Sequence, residues 1–155
     1  MKNAKVIFSS DRTATYFFCL PLTSIIWKKY IGFDPVCFLA GSEGEWLSDP
    51  LTKFVLDKTK EAGAEIHFLG HVDQIGDGTL CQVSRAYGGC LEVEDDEYLL
   101  TSDADMWPLN RQWFRQGAND KLLHLFYANA YGHEKYPMYY VGAAAKQWRD
   151  IMSVQ

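Results

Sequence analysis

The chain has 155 residues, 48% hydrophobic and 23% charged, and its 20 acidic against 15 basic side chains give a formal charge of -5. That much apolar material suits one soluble domain with one substantial core, and the scattered Lys and Arg exclude the basic face that general nucleic-acid binding requires, though not an anionic small ligand. The longest apolar stretch, Ala14 to Trp27, is interrupted by Pro21, Thr23 and Ser24, so no membrane span is expected, and "MKNAKVIFSSD" lacks the apolar core and cleavage site of a signal peptide.

In chain order, Lys5 to Ser10 reads as a strand, and "DRTATYFFCLPLTSIIWKKYIG" as a helix of about five turns with a kink at Pro21 and an end near Gly32. "PVCFLAG" is a second strand. "SDPLTKFVLDKTKEAG" is a helix with a start signal at Ser48, Asp49 and Pro50, an expected apolar face of Leu51, Phe54 and Val55, and a stop at Gly63. "EIHFLG" is a third strand, followed by a helix in "TLCQVSRAYGG", which opens with Thr79 and Gln82 at capping-box spacing and closes on two glycines. In that helix Gln82 and Arg85 share one face, leaving Leu80 and Val83 to meet the core. "EYLLTS" is a fourth strand, "LNRQWFRQG" a short helix, "LLHLFYANA" and "MYYVG" the fifth and sixth strands, and "AAAKQWRDIM" a terminal helix.

Strands alternating with helices predict an α/β fold with a largely parallel central sheet. In such sheets ligands gather beyond the C-terminal strand edges, where Asp11, Gly41 and the pair Asp103 and Asp105 fall. Cys19, Cys37, Cys81 and Cys90 have no CxxC spacing and sit in apolar or helical contexts, so all are expected to be buried thiols. Together with the absence of an N-x-S/T sequon, they favour a reducing, cytoplasmic setting.

In "YLLTSDADMWPL" the two aspartates are i and i+2 on an extended segment, so both can face one site with Ala104 between them. Like charges so close repel, and a divalent cation relieves this by taking carboxylate oxygens while leaving positions for water and phosphate. The alternative is a polar turn in which the aspartates cap the helix that follows Leu109.

Placed mid-chain, behind three strand–helix units that begin with "VIFSSDR", this pair resembles the DxD of GT-A glycosyltransferases. "LCQVSRAYGG" is similar to the helix that faces the nucleotide in such families, and "YPMYYVGAAAKQWRDIM" to the sugar-side segment of small chlorovirus-type domains. The resemblance implies a Rossmann-like GT-A fold in which residues to about 105 hold the nucleotide and those from about 106 face sugar and acceptor. It also implies a Mn²⁺ or Mg²⁺ cofactor, a nucleotide-sugar donor with UDP favoured, and a glycan or glycoprotein acceptor.

Carried over residue by residue, Asp105 looks like the direct metal ligand. Asp103 looks like a partner of the ribose hydroxyls or of metal-bound water. Ser9, Ser10, Asp11 and Arg12 resemble the nucleotide pocket, with Asp11 open to the alternative of capping the first helix. Arg85 is read as a contact to the nucleotide or to Asp103, against a solvated surface arginine. Tyr139, Tyr140 and Gly142 are candidates for the sugar subsite, against strand packing. His133 and Glu134 are candidates for a third metal ligand or a general base, and no catalytic base is otherwise assigned. His67, His71 and His124 lack zinc-ligand spacing.

Full GT-A domains usually run beyond 200 residues by this resemblance, so the chain is read as a minimal enzyme, as a fragment, or as one whose acceptor site is completed by a further domain or subunit. The competing functions are a non-catalytic nucleotide-sugar or glycan-binding module of the same fold, and a DxD phosphatase. The latter family expects Thr or Val where Trp107 stands, and places its motif near the N-terminus.

Overall fold

The computed structural model describes residues 4–116, 123–128 and 139–154. Strand β1 (Ala4–Ser10) leads through a short helix α1 (Ala14–Phe17) into α2 (Leu20–Ile25), which continues as a π-helical turn over Ile26–Ile31. Strand β2 (Asp34–Leu39) is followed by α3 (Glu43–Ser48) and α4 (Pro50–Glu61), then β3 (Glu65–Phe68), α5 (Asp77–Ser84) and a 3₁₀ segment over Arg85–Cys90. Strand β4 (Tyr98–Thr101), α6 (Arg111–Gln116), β5 (His124–Leu125), β6 (Val141–Ala144) and α7 (Ala145–Met152) complete the described chain.

The strands form one six-stranded sheet in the order β3-β2-β1-β4-β6-β5. β3, β2, β1 and β4 run parallel, whereas β6 is antiparallel to β4 and β5 antiparallel to β6. Helices flank the sheet, so the fold is α/β with a mostly parallel sheet. No helix among the described residues is long and apolar enough to cross a membrane.

Alternation along the strands divides the core between the two faces of the sheet. Val6, Phe8 and Leu100 face one layer with Trp27, Phe33, Trp46 and Leu56, while Ile7 and Leu99 face the other with Val36, Phe38 and Trp148. Each such fully buried side chain contributes about 1.5–3 kcal/mol of transfer free energy. Two indoles are also tied to backbone: Trp46 Nε1 donates to the Ala40 carbonyl at 2.7 Å and Trp148 Nε1 to the Leu99 carbonyl at 3.1 Å.

Several expectations need correction. The long first helix is divided, because Pro21 occupies the first turn of α2, where its missing N–H costs nothing, instead of kinking a continuous helix. Its end at Gly32, with φ +87°, is where the sequence puts it. Helix α4 has the expected cap, with Asp49 Oδ1 accepting from the amides of Leu51 and Thr52, but it buries Thr52, Val55, Leu56 and Thr59. Leu51 and Phe54 are exposed, Phe54 to 58%, because threonine hydroxyls can bond backward to the backbone and so occupy the inner face.

Helix α5 begins at Asp77 after a Gly76 N-cap, two residues before Thr79, so Thr79 caps nothing. Cys81 and Ser84 are its buried residues, and Val83 is 48% exposed. Cys37 and Cys81 are buried, Cys19 is half-buried, and Cys90 is exposed at the end of the 3₁₀ segment. Helix α3 was not foreseen, although Ser42 and Glu45 form a complete capping box at its start. The fifth strand is only His124–Leu125, and the sixth begins later than expected, at Val141.

Candidate active site

The C-terminal ends of β1 and β4 are neighbours because these strands are paired in parallel, and the Ser102 amide extends the pairing by donating to the Ile7 carbonyl at 2.8 Å. A cleft of about 240 Å³ opens beyond them. It is lined by Ser9, Ser10 and Asp11 from the β1 end, Tyr16 from α1, Gly78, Cys81, Gln82 and Arg85 from α5 and its continuation, and Asp103, Ala104 and Asp105 from the β4 end.

On the β1 side, the Ser9 hydroxyl donates to the Cys81 carbonyl, which fastens α5 to the strand end. The Ser10 hydroxyl donates to the Asp11 carbonyl at 2.8 Å, and Asp11 Oδ1 accepts from the Thr13 amide at 2.9 Å. One carboxylate oxygen of Asp11 thus shapes the turn into α1. The other, Oδ2, lies beside Gly78, where an added Cβ would come within 3.6 Å of it.

On the β4 side, Arg85 is only 8% exposed. Its Nη1 donates to the buried Ser102 carbonyl at 2.9 Å and to Asp103 Oδ1. Asp103 is therefore held by a cation supplied from α5. Asp105 is exposed and has no hydrogen-bond or ion-pair partner among the described residues. The turn between them is locked from behind by Thr23, a buried residue of α2 whose hydroxyl donates to the Ala104 carbonyl at 2.5 Å and accepts from Trp107 Nε1 at 3.1 Å.

The donor chemistry of this pair suits a hard divalent cation such as Mg²⁺ or Mn²⁺, for which carboxylate oxygens are the preferred protein ligands. Among the described residues no three His, Cys, Asp or Glu side chains form a group able to hold a metal ion. A cation at Asp105 would accordingly draw further ligands from water and from phosphate oxygens, which is how Mg²⁺ is usually held. Cys81 does not compete for it, because burial pushes its thiol up to about 11 and keeps it protonated.

In a structural comparison, the chain is similar to the glycosyltransferase GlyE of Streptococcus pneumoniae TIGR4, with TM-score 0.57, 14% identity and 98% of this chain covered. The chain has a glycosyltransferase-like fold. It spans 36% of the length of that structure. No family model matches the sequence, and no curated protein does.

Of the residues singled out in the sequence, Ser9, Ser10, Asp11, Arg85, Asp103, Ala104 and Asp105 share this cleft. Arg12 does not line it: its guanidinium pairs with Glu45 at 3.2 Å. Tyr139 and Tyr140 lie instead along a separate hollow with Trp107, Trp113 and Tyr127, where Tyr140 is buried against Trp27 and Phe114. Gly142 lines neither, since it packs on Tyr98, whose hydroxyl would lie 1.8 Å from a Cβ placed there. His133 and Glu134 lie outside the described residues.

Tyr16, Gly78 and Cys81 were not foreseen in the cleft. Tyr16 carried a signal, an aromatic side chain five residues after a strand-end aspartate. Cys81 carried none beyond its place in the same predicted helix as Arg85, and Gly78, just before that helix, carried none.

Proposed function

We propose that this chain transfers a sugar from a nucleotide-diphosphate donor, UDP-sugars being favoured, to a hydroxyl acceptor in a reaction that depends on Mn²⁺ or Mg²⁺. The observation that carries the reading is the opening of Asp103 and Asp105 into the same cleft as the β1 end, with Asp103 held by Arg85 and Asp105 without a hydrogen-bond or ion-pair partner among the described residues. The glycosyltransferase-like fold supports it.

In this reading Asp105 ligates the cation and Asp103, oriented by Arg85, accepts from the ribose hydroxyls or from a metal-bound water. Asp11 Oδ2, free of the Thr13 bond, is available to a donor N–H or O–H of the nucleoside, and Tyr16 offers an exposed aromatic face at the mouth of the cleft. A bound divalent cation would offset the negative charge that builds on the leaving diphosphate. Residues to about 105 serve the donor, and those beyond face the sugar and acceptor.

The test is a thermal-shift series with UDP and UDP-sugars, with and without Mn²⁺. A ligand at a hundred times its Kd stabilises the native state by about 2.7 kcal/mol, a rise of about 5–10 °C in a chain of this size. The rise is expected only with the metal present. Equal shifts in EDTA, or no shift with uridine, guanosine or thymidine diphosphates, would overturn the reading.

A further inference from the structure

β3 leaves the sheet at Phe68, and Gly70 then pairs with Gly41 through two backbone hydrogen bonds of 2.9 and 3.2 Å. Both glycines have positive φ, +67° and +94°, so this crossing of the β2 and β3 exits is built on backbone that side chains rarely adopt. The crossing delivers His71 to a point between two helix starts. Its Nε2 lies 2.8 Å from Glu45 Oε2 at the start of α3, and its Nδ1 lies 3.0 Å from Asp77 Oδ1 at the first residue of α5.

A neutral imidazole has one N–H and one lone pair, so it can satisfy one carboxylate and must turn its lone pair on the other. Only the imidazolium donates to both. The charged groups that flanking elements bring to the ring are Glu45 from α3, Asp77 from α5 and, through Glu45, Arg12 from the β1 loop, with Asp11 one step further beside Gly78. Glu45 is held down to about 2 by the Ser42 amide and hydroxyl and then by His71, so it stays ionised.

The start of α5 needs such support. Its N-cap is Gly76, which has no side chain to offer, and Asp77 is the acidic residue of its first turn. From that turn onward α5 supplies the cleft wall: Gly78 beside Asp11, then Cys81, Gln82 and Arg85.

We propose that His71 is a positioning residue of the cleft, its imidazolium clamping the first turn of α5 to α3, so that the α5 wall is ordered when His71 is protonated and loosens when it is neutral. The clamp is defined without reference to a ligand, and its effect on a nucleotide rests on the function proposed above. Asp77 is the main influence raising the His71 titration above the ordinary 6.5, with Glu45 next. For a group raised on folding, the stabilisation is complete below the unfolded value and is lost as pH climbs through the folded one, so the clamp is lost as pH climbs through a value above the ordinary 6.5.

The experiment follows hydrogen exchange of the Leu80 and Cys81 amides, the former donating to the Gly76 carbonyl at 2.9 Å, in the wild type, His71→Gln and His71→Arg. Protection in the wild type is expected to fall about fivefold, the size of an exposed ion pair, between about pH 5.5 and about pH 8.5, after correction for intrinsic rates. His71→Gln should be poorly protected at both, and His71→Arg, always charged and able to reach both carboxylates, protected at both. Equal, pH-independent protection in all three proteins, or an NMR-titrated His71 at or below 6.5, overturns the clamp. Binding of UDP with Mn²⁺ is measured alongside: if it is absent while protection still follows His71, the donor reading fails and the clamp stands; if it is present, it should weaken with rising pH in the wild type and not in His71→Arg.

Discussion

Replacing Arg85 by methionine keeps most of the side-chain volume and removes both hydrogen bonds that tie α5 to the β4 end. The Ser102 carbonyl it serves belongs to a fully buried residue, and a buried acceptor left unmet costs about 1–3 kcal/mol. The loss at Asp103 is smaller, because its side chain is 37% exposed and water replaces part of the arginine's contribution. Removing a buried cation also removes its desolvation cost, which offsets some of the damage. The net expectation is about 2 kcal/mol, or a melting temperature lowered by about 4–8 °C. Urea unfolding followed by tryptophan fluorescence measures it, in a cycle of wild type, Arg85→Met, Asp103→Asn and the double variant. The two costs should fall short of additive by about 1 kcal/mol, since each single variant breaks the same pair. An Arg85→Met protein within about 0.5 kcal/mol of wild type, or strictly additive costs, would refute the assignment of Arg85 as the anchor of the carboxylate pair.

Asp105→Asn should leave unfolding unchanged and abolish the metal-dependent shift with UDP, whereas Asp103→Asn should weaken that shift and retain some response to metal; a wild-type shift in the Asp105 variant would remove Asp105 from the metal's ligands. Gly142→Ala should destabilise by about 1–3 kcal/mol, because its Cβ must displace the buried Tyr98 ring, and Tyr98→Val should relieve much of that cost; chemical denaturation of the two single variants and the double variant measures this, and full additivity would speak against the clash.

The parallel half of the fold was legible because each unit carries its own punctuation. Asp49 before Pro50 starts α4, Gly32 and Gly63 stop the helices, and apolar runs mark β1, β2 and β4. What was misread concerns which side of a helix turns inward. Thr52 and Thr59 are polar by composition yet bury, since their hydroxyls bond to the Trp46 and Val55 carbonyls, and Phe54 is apolar yet exposed. The site was legible at its strand ends for a similar reason, as two aspartates after an apolar strand are conspicuous. The lock behind it was not: Thr23 serves Ala104 across 81 positions, and no local pattern encodes such a pair, whereas the contact of Arg85 with Asp103 across 18 positions was among the readings that the resemblance implied. Arg12 and Gly142 were drawn toward the site by sequence neighbours and are held elsewhere by Glu45 and Tyr98.

The reversal of direction between β4 and β6 has a consequence for how this architecture can diversify. Because β6 runs against β4, the chain starts β6 at the same edge where β4 ends, and the Val141 amide meets the Thr101 hydroxyl there at 3.0 Å. The connection between them, which includes α6 and β5, is thus anchored at both ends beside the carboxylate pair. Substitutions along that connection that spare α6 and β5 can therefore change what is presented to Asp105 while the strands that hold Asp11 and Asp103 stay as they are, which makes it the natural place to graft a new specificity.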